Sequence, residues 1–489
     1  MSKNFYITTT LPYTNSDPHI GFATEIIKAD VIARIERNLG KEVIFNTGTD
    51  EHGLKIYQKA QEAGMEPRAF CESYANKFRS LKEALNLSFT NFIRTSDDHH
   101  VKAAQEFWRR CDANNDIYKK TYQVKYCVGC EMEKTDSELV DNHCPLHPTK
   151  DLELINEENY FFKFSKYQET LLKLYSDRPD FVVPSNRLTE IKNFVAGGLQ
   201  DFSISRLASK MPNGVPVPGD EKQVMYVWFD ALANYISTLG WPEDQKNFEK
   251  FWPAIQVCGK DNLRQQSAMW QAMLASAGLP FSEQVLVFGF LMANGQKISK
   301  STGNTIDPFE MAEKYGADAV RYYLLTEIPM FEDGDFSEER LAQKYNADLA
   351  NGLGNLVARV SNLLEKNNIK TNLDKKKAHE FAYGEDSLIS YYREGGYNFN
   401  ISHEGNIKGG YLQKIWQQIA DNNEKLSATA PWKLTDQKEI ENILKPIAES
   451  ILGIGYLLLP FMPASAEKII TQFSEEQIVK GESLFPRLT

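Results

Sequence analysis

Long apolar runs are missing from this 489-residue chain, although 42% of its residues are hydrophobic. The longest apolar stretch, residues 451–462, is interrupted by Gly453, Gly455 and Pro460. It is shorter than the roughly 20 apolar residues that a membrane-spanning helix needs. The sequence therefore argues against an integral helical membrane protein, and we expect no membrane partner.

Cysteine is also scarce, and the first residues lack the layout of a secretory signal peptide. Six cysteines in 489 residues do not make the dense disulfide framework of a small secreted domain. In place of a basic start and an apolar run, residues 5–10 have the apolar, β-branched composition of a strand. We therefore expect a cytoplasmic enzyme.

Positive charge is in deficit, with 55 Lys and Arg against 66 Asp and Glu and a formal net charge of −11. This balance argues against a protein that coats nucleic acid without sequence preference. It leaves room for a nucleic-acid partner, because a local basic face can lie on an acidic protein. The length predicts about three domains.

Strand and helix patterns alternate over the first hundred residues. Residues 5–10 and 43–48 are short apolar segments, and residues 23–39 between them have helical spacing up to Gly40. This order predicts an α/β fold of the Rossmann type, with a doubly wound parallel sheet.

The middle of the chain breaks this alternation. It contains clustered cysteines and closes on a proline- and glycine-rich linker at residues 211–219. The strand pattern resumes at residues 224–228 and 284–288. We therefore predict an insertion that splits one sheet domain. Beyond residue 346 helical periodicity takes over, which predicts an α-helical C-terminal domain.

Two distant segments have the residue types of a phosphate site. In residues 17–22, His19 can donate to a phosphate oxygen at a helix N-terminus, and Gly21 lets a purine approach the backbone. Far downstream, Lys297 and Lys300 offer two ammonium groups to a phosphorus with growing negative charge. Taken singly, the segments could be a capped turn and a solvated basic turn. Together they suggest one site that activates a carboxylate with ATP.

Cysteines and a histidine form two pairs, each with a two-residue gap: Cys127 with Cys130, and Cys144 with His147. This spacing predicts a tetrahedral Cys₃His site for one structural Zn²⁺ per chain. The alternatives are unpaired cysteines, or ligation by His143, whose adjacency to Cys144 makes joint binding awkward.

The two phosphate segments resemble the signature motifs of class I aminoacyl-tRNA synthetases. Residues 17–22 (DPHIGF) resemble the HIGH motif, and residues 297–301 (KISKS) resemble the KMSKS loop. Further segments, up to residues 484–487, are similar to methionyl-tRNA synthetases: residues 11–15, 47–53, 201–206, 226–231 and 430–434. The resemblance implies that methionine attacks the α-phosphorus of ATP, bound with Mg²⁺, and then passes from the adenylate to the 3′ end of tRNA(Met).

The resemblance also implies roles for individual residues. The implied catalytic residues are His19, Lys297 and Lys300. The implied ATP-binding residues are His19, Gly21, Phe22, Lys297, Ser299 and Lys300. The implied methionine-binding residues are Leu11, Tyr13, Asp50, Trp228, Ala231, Tyr235 and Gln266. The implied readers of the tRNA anticodon are Asn355, Arg359 and Trp432.

On this basis we predict five segments along the chain. They are the first half of a Rossmann catalytic domain (1–115), an inserted connective domain with the zinc knuckle (116–222), the second catalytic half (223–290), the KMSKS loop with a stem-contact region (291–345), and a helical anticodon-binding domain (346–489). Because no C-terminal RNA-binding barrel is evident, we expect a monomer.

Two departures from the family pattern keep alternatives open. Phe22 stands where the family usually has histidine, and Gln266, beside Gln265, stands where a pocket histidine is usual. Loss of one charged phosphate donor costs about 1.5–3 kcal/mol unless a neighbour replaces it. One alternative is a non-catalytic tRNA-binding paralogue. Another is a ligase for a different apolar amino acid, although such relatives usually carry a larger editing insertion.

Overall fold

The computed structural model describes residues 3–488 except 131, 135–137, 294, 299–303, 385–386, 388 and 390–409. The chain forms two compact units. The first unit comprises Met1–Pro18, Val43–Ser80 and Phe89–Val287, and the second comprises His19–Glu42, Leu81–Ser88 and Phe288–Thr489. Among the described residues, no helix combines the length and apolar character needed to cross a membrane.

A six-stranded sheet forms the centre of the first unit. From one edge to the other its strands are Asn91–Arg94, Glu42–Thr49, Asn4–Thr8, Ile255–Gly259, Gln284–Phe288 and Val182–Val183. The central strands Asn4–Thr8 and Ile255–Gly259 run parallel, with Ile7 opposite Ile255, and the pair at each edge is also parallel. The strand order reverses direction at this central pair, which is the doubly wound arrangement. The predicted Rossmann-type sheet is confirmed.

The apolar strands of this sheet are buried. Ile7, Val285 and Val287 are 0% exposed, as expected of parallel strands that are covered on both faces. Aromatic residues fill the surrounding core, where Phe107 stacks on Trp270 with ring centroids 5.3 Å apart. Such dense packing gives the loops at the strand ends a rigid support.

The segment between the two parts of the parallel sheet contains antiparallel strands. Its four-stranded sheet has the order Met132–Lys134, Ile117–Cys127, Glu153–Phe162 and Phe202–Ser203. A three-stranded sheet follows, in the order Pro216–Val217, Asp220–Met225 and Ser205–Leu207. Cys127 ends the longest strand of the first of these sheets, so the long hairpin holds the cysteine cluster at its tip.

One predicted strand is wrong. We expected residues 224–228 to resume the main sheet, but Val224 and Met225 end a strand of the small antiparallel sheet. Val227 then begins a helix, Val227–Leu232, which we call the pocket helix. Periodicity cannot distinguish a strand from a buried helix over so short an apolar run. Contacts with distant residues favour the helix over a strand here, because Asp230 in this helix is hydrogen-bonded to two buried histidines.

The remaining elements of the first unit are mostly helical. Its helices are Leu54–Glu62, Pro67–Ala84, Asp98–Ala113, Gln168–Asp177, Ser185–Ala196, Asn234–Ser237, Gln245–Phe251 and Trp270–Ser276, with 3₁₀ turns at Phe164–Tyr167 and Lys260–Asn262 and a π-helical turn at Gln265–Met269.

The second unit contains a three-stranded sheet and the C-terminal helices. Strand Leu291–Ala293 pairs antiparallel with Gln296–Lys297 and parallel with Gly334–Phe336. The helices of this unit are Ile20–Asn38, Pro308–Tyr315, Ala317–Thr326, Glu338–Lys344, Tyr345–Gly354 (π), Asn355–Lys366, Lys375–Tyr383, Tyr411–Thr429, Pro431–Lys433 (3₁₀), Gln437–Leu458 and Pro463–Phe473. The predicted helical C-terminal region is confirmed.

Buried charges anchor the first helix, Ile20–Asn38, within the second unit. Arg321 Nη2 lies 2.8 Å from Asp30 Oδ2, and both side chains are 0% exposed. Burial tends to raise the pKa of Asp30, but the charges of Arg321 and Arg34 outweigh it and lower that pKa. Two residues earlier, Lys28 Nζ donates to the carbonyl of Pro329 at 2.7 Å. The helix is therefore bound to the rest of its unit by an ion pair and a hydrogen bond as well as by apolar packing.

Candidate active site and metal centre

The candidate amino-acid pocket begins at the carboxyl ends of two central strands of the first unit. Asp50 directly follows strand Glu42–Thr49, and Tyr13 lies in the loop after Asn4–Thr8. Tyr13 and Asp50 form a parallel β-bridge, and the Asp50 N–H donates to the Pro12 carbonyl at 2.9 Å. Open α/β sheets bind ligands at this edge. The pairing thus holds the buried Asp50 carboxylate at the position where such sheets present their functional groups.

The two residues after Asp50 are each held by an opposite charge. Arg94 donates two hydrogen bonds to Glu51, of 2.6 and 2.9 Å. His52 Nδ1 lies 2.5 Å from Asp230 Oδ2 on the pocket helix. The loop that carries Asp50 is therefore fixed on both sides by charge-assisted hydrogen bonds, which are stronger than neutral ones.

Asp230 is also bonded to a second histidine. His100 Nε2 lies 2.8 Å from its other oxygen, Oδ1, and both His100 and Asp230 are 0% exposed. Burial tends to raise the pKa of Asp230, but the charge and hydrogen bonds of His52 and His100 outweigh it and lower the pKa to about 2. The carboxylate is therefore ionised at neutral pH.

Asp50 is recognisable in the sequence, but the residues that hold its loop are not. These are Glu51, His52, Arg94, His100 and Asp230. One signal was available, since Asp230 interrupts the otherwise apolar residues 226–231. A carboxylate in an apolar segment needs a charged or hydrogen-bonding partner once it is buried.

Two helices carry the proposed apolar walls of the pocket. Trp228 and Ala231 lie on the pocket helix, and Tyr235 lies on the next helix, Asn234–Ser237. Tyr235 is 2% exposed, and its backbone carbonyl accepts from Tyr6 Oη at 2.8 Å. The indole Nε1 of Trp228 is buried and has no hydrogen-bond partner among the described residues. It remains a donor for a polar atom of a ligand.

Gln266 contacts the proposed pocket directly. Its Nε2 donates to Tyr235 Oη at 2.5 Å, and its Oε1 accepts from Gln256 Nε2 at 3.1 Å. Gln266 lies in the π-helical turn Gln265–Met269, a deformation that is frequent at functional sites. Both ends of this amide are hydrogen-bonded. Gln266 therefore makes the pocket wall more polar without leaving its own amide unsatisfied.

Two other residues that we propose to bind methionine, Leu11 and Tyr13, lie in one loop. Leu11 is partly buried there. Tyr13 packs against a small cluster of Ile56, Ala60, Phe70 and Cys71. Among the proposed residues, Tyr235 is thus hydrogen-bonded to Gln266, and Tyr13 is paired with Asp50. A hydrogen bond between His52 and Asp230 also connects the Asp50 loop to the pocket helix.

In the second unit, His19 is the N-cap of the first helix. Its Nδ1 accepts from the backbone N–H groups of Gly21 at 3.1 Å and Phe22 at 3.4 Å. The Ile20 N–H donates to the Ile306 carbonyl at 2.9 Å. The N–H groups that we expected to face phosphate therefore already have protein acceptors. A neutral imidazole whose Nδ1 accepts carries its proton on Nε2, the atom that can donate to a phosphate oxygen.

Gly21 has a second reason to be glycine. A Cβ at this position would lie 3.0 Å from the His19 ring, which is tighter than ordinary contact. Phe22, next to it, is partly buried. Lys297 ends the strand Gln296–Lys297, whose partner is Leu291–Ala293. The predicted residues Ser299 and Lys300 lie outside the described residues.

Three cysteines and one histidine of the first unit form a compact cluster. The ligand atoms of Cys127, Cys130, Cys144 and His147 all lie within 4.8 Å of one another. Cys130 Sγ lies 3.4 Å from Cys144 Sγ and 3.2 Å from His147 Nδ1. Sulfur and nitrogen ligands of a tetrahedral zinc ion are roughly 3.3–3.8 Å apart, given their usual bond lengths. The donor set and its spacing therefore fit a bound metal ion.

The turn between the first two cysteines depends on Gly129. A Cβ there would lie 2.5 Å from the His147 ring, so a larger residue would displace this ligand. His143, the alternative ligand, is not part of the cluster. Its Nδ1 lies 2.8 Å from the Asp141 carbonyl, and its side chain is exposed.

Comparison with known proteins identifies the family. The model of class I tRNA synthetases of the methionyl type matches residues 5–152 and 133–361. The methionine–tRNA ligase of Thermotoga maritima is 41% identical over 98% of this chain and 77% of its own length. The enzyme of the same name from Nostoc sp. is 41% identical over 96% of this chain and 90% of its own.

The chain belongs to the methionyl-tRNA synthetase family.

A solved structure agrees with this assignment. Mycobacterium tuberculosis methionyl-tRNA synthetase in complex with methionyl-adenylate superposes with a TM-score of 0.89 at 35% identity, over 100% of both chains. The apo form of that enzyme gives a TM-score of 0.81. The synthetase therefore shares the fold of an enzyme whose structure contains methionyl-adenylate.

The predicted anticodon residues of the synthetase lie in its second unit. Asn355 is exposed at the start of helix Asn355–Lys366, and Arg359 lies one turn later. The Arg359 guanidinium lies over the Trp432 ring, 5.1 Å from its centroid, and Trp432 is 48% exposed. Two flat groups of the kind that stack on unpaired bases therefore lie together at the surface.

Proposed function

We propose that the synthetase activates L-methionine with ATP and transfers the methionyl group to the 3′ end of tRNA(Met). The observation that carries this proposal is the hydrogen bond between His52 and Asp230. It joins the loop of an anionic residue, Asp50, to the helix of the aromatic Trp228. Methionine needs both, because its ammonium requires an anion and its polarisable thioether favours aromatic contacts.

The proposed chemistry is in-line attack of the methionine carboxylate on the α-phosphorus of ATP. His19 would donate from Nε2 to a phosphate oxygen, and Lys297 and Lys300 would stabilise the negative charge that grows on the phosphates. Mg²⁺ would supply further charge neutralisation when it binds with ATP. No covalent enzyme intermediate is required, so rate enhancement depends on positioning and electrostatics.

We also propose that the Cys₃His cluster holds one structural Zn²⁺. All four ligands come from the protein, which matches closed structural sites and leaves no position for a reacting water. The metal would hold the two ends of residues 127–147 together in the inserted domain. The monomeric state and the cytoplasmic location stay predictions.

Exchange of pyrophosphate into ATP, measured with each amino acid in turn, tests the proposal. Methionine should support exchange, and leucine, isoleucine and valine should support far less. Exchange that depends on another apolar amino acid would assign a different ligase. Absence of exchange combined with tRNA binding would favour the non-catalytic paralogue, which is motivated by Phe22 and by the pair Gln265 and Gln266.

A further inference from the structure

Asp230 lies at the centre of a buried network that reaches three segments of the proposed methionine pocket. Through His52 it is bonded to the loop that carries Asp50, at 2.5 Å. Through His100, whose Nδ1 lies 2.9 Å from Ser237 Oγ, it reaches the helix that carries Tyr235. It also lies on the pocket helix itself, next to Ala231.

The contacts of the Asp50 loop continue this network. The His52 backbone N–H donates to Asp50 Oδ1 at 3.4 Å, and Thr95 Oγ1 donates to the same oxygen at 3.4 Å. The position of His52 therefore affects the orientation of the carboxylate that would receive the methionine ammonium. His52 is 7% exposed, so water competes little for its bond to Asp230.

Charge makes this network strong. An ionised carboxylate that is fully buried is very unfavourable without compensating partners. Here two imidazoles supply those partners, one on each oxygen of Asp230. Moving the Asp50 loop or the pocket helix would stretch a charge-assisted bond, and moving the helix of Tyr235 would stretch the bond between His100 and Ser237, in a medium where water cannot replace either bond.

We propose that Asp230 is a positioning residue that sets the spacing between the ammonium-binding end and the thioether-binding end of the methionine pocket. It acts through His52 on Asp50, through its own helix on Trp228 and Ala231, and through His100 on the helix of Tyr235. This inference rests on the proposed function. It adds that substrate affinity depends on a carboxylate that itself holds neighbouring protein segments.

Methionine binding, measured by titration calorimetry, tests the inference without requiring catalysis. Asp230→Asn keeps the shape of the side chain and removes its charge. The matched control is Asp116→Asn, because Asp116 is another fully buried carboxylate, with Lys166, Tyr167 and Ser276 as its partners. Both changes should lower stability. Only Asp230→Asn should weaken methionine binding, by about tenfold or more, which corresponds to ~1.4 kcal/mol.

A second variant tests whether Asp230 acts through His52. His52→Asn keeps a donor at the position of Nδ1 and removes the charge, and it also serves if Asp230→Asn fails to fold. Its loss of methionine affinity should not add to that of Asp230→Asn, because both changes weaken one bond. Full additivity, or methionine affinity in Asp230→Asn within about threefold of the wild type, would overturn the inference.

The wild-type protein separates this inference from the proposed function. If it binds methionine but supports no pyrophosphate exchange, the proposed function is wrong, and the variants still decide the role of Asp230. If the wild type does not bind methionine, both proposals are wrong.

Discussion

At the scale of single residues, His19 combines a structural and a proposed chemical task. Its Nδ1 caps the first helix, and its Nε2 is the proposed phosphate donor. His19→Ala should nearly abolish adenylate formation, as measured by pyrophosphate exchange. His19→Asn separates the two tasks, because asparagine is a good N-cap but lacks the distant ring nitrogen. It should keep wild-type stability and still lose exchange; recovered exchange would show that capping is the whole role.

Phe22 gives a prediction in the opposite direction. The family usually has histidine at this position, so Phe22→His should be tolerated or should increase methionine-dependent exchange, because it restores a donor near the phosphates. Phe22→Leu, which stays apolar, is the matched control and should not increase the rate. A severe loss in Phe22→His would mean that this half of the site is built in some other way.

Lys28 predicts a dependence of stability on pH. Burial lowers its pKa from 10.5 to about 7, although Glu25 opposes the shift. Between these two values the unfolded chain binds more protons than the folded chain, so the contribution of Lys28 to stability rises with pH, by at most about 1.4 kcal/mol per unit. The unfolding free energy of the wild type minus that of Lys28→Met should therefore increase from pH 7 to 9. Urea denaturation at each pH measures it.

The exposed Lys425 supplies the control for this experiment. Lys425→Met should change the unfolding free energy by no more than about 0.5 kcal/mol, as is usual for a substitution at the surface. A difference for Lys28→Met that stays constant from pH 7 to 9 would show that Lys28 keeps its charge in the folded state.

At the scale of elements, loss of the cysteine cluster should have the most local effect. Cys127→Ser should remove stoichiometric zinc, as measured by metal analysis, because it removes one of four ligands. Pyrophosphate exchange should persist, since none of the four ligands is proposed to bind methionine or ATP. Cys111→Ala, at a buried cysteine of helix Asp98–Ala113, should keep its zinc. Unchanged zinc in Cys127→Ser would contradict the proposed ligand set.

At the scale of the whole molecule, activation and tRNA recognition should be separable. Trp432→Ala should raise the KM for tRNA by roughly tenfold to a hundredfold, because stacking on a base contributes about 1–3 kcal/mol. Exchange needs no tRNA and should be unchanged. Phe381, another half-exposed aromatic residue of the second unit, provides the control. Equal effects of Trp432→Ala and Phe381→Ala on tRNA KM would argue against an anticodon role.

Local patterns predicted a large part of this architecture. The helical spacing of residues 23–39 predicted the first helix, which the structure extends to Ile20–Asn38. The two-residue gaps between cysteines and histidine predicted the cluster correctly. The prediction for residues 224–228 was wrong because a buried helix and a strand have similar patterns over five apolar residues.

The sequence by itself determined the family, most of the order of the elements and the composition of the Cys₃His cluster, because each motif, the helical period and the ligand spacing are patterns within short segments. Only the tertiary structure decided that Asp230 holds His52 and His100, which lie 178 and 130 residues away along the chain. No local pattern relates residues at such separations. Packing brings them together, and burial then makes their hydrogen bonds strong enough to hold the Asp50 loop in place.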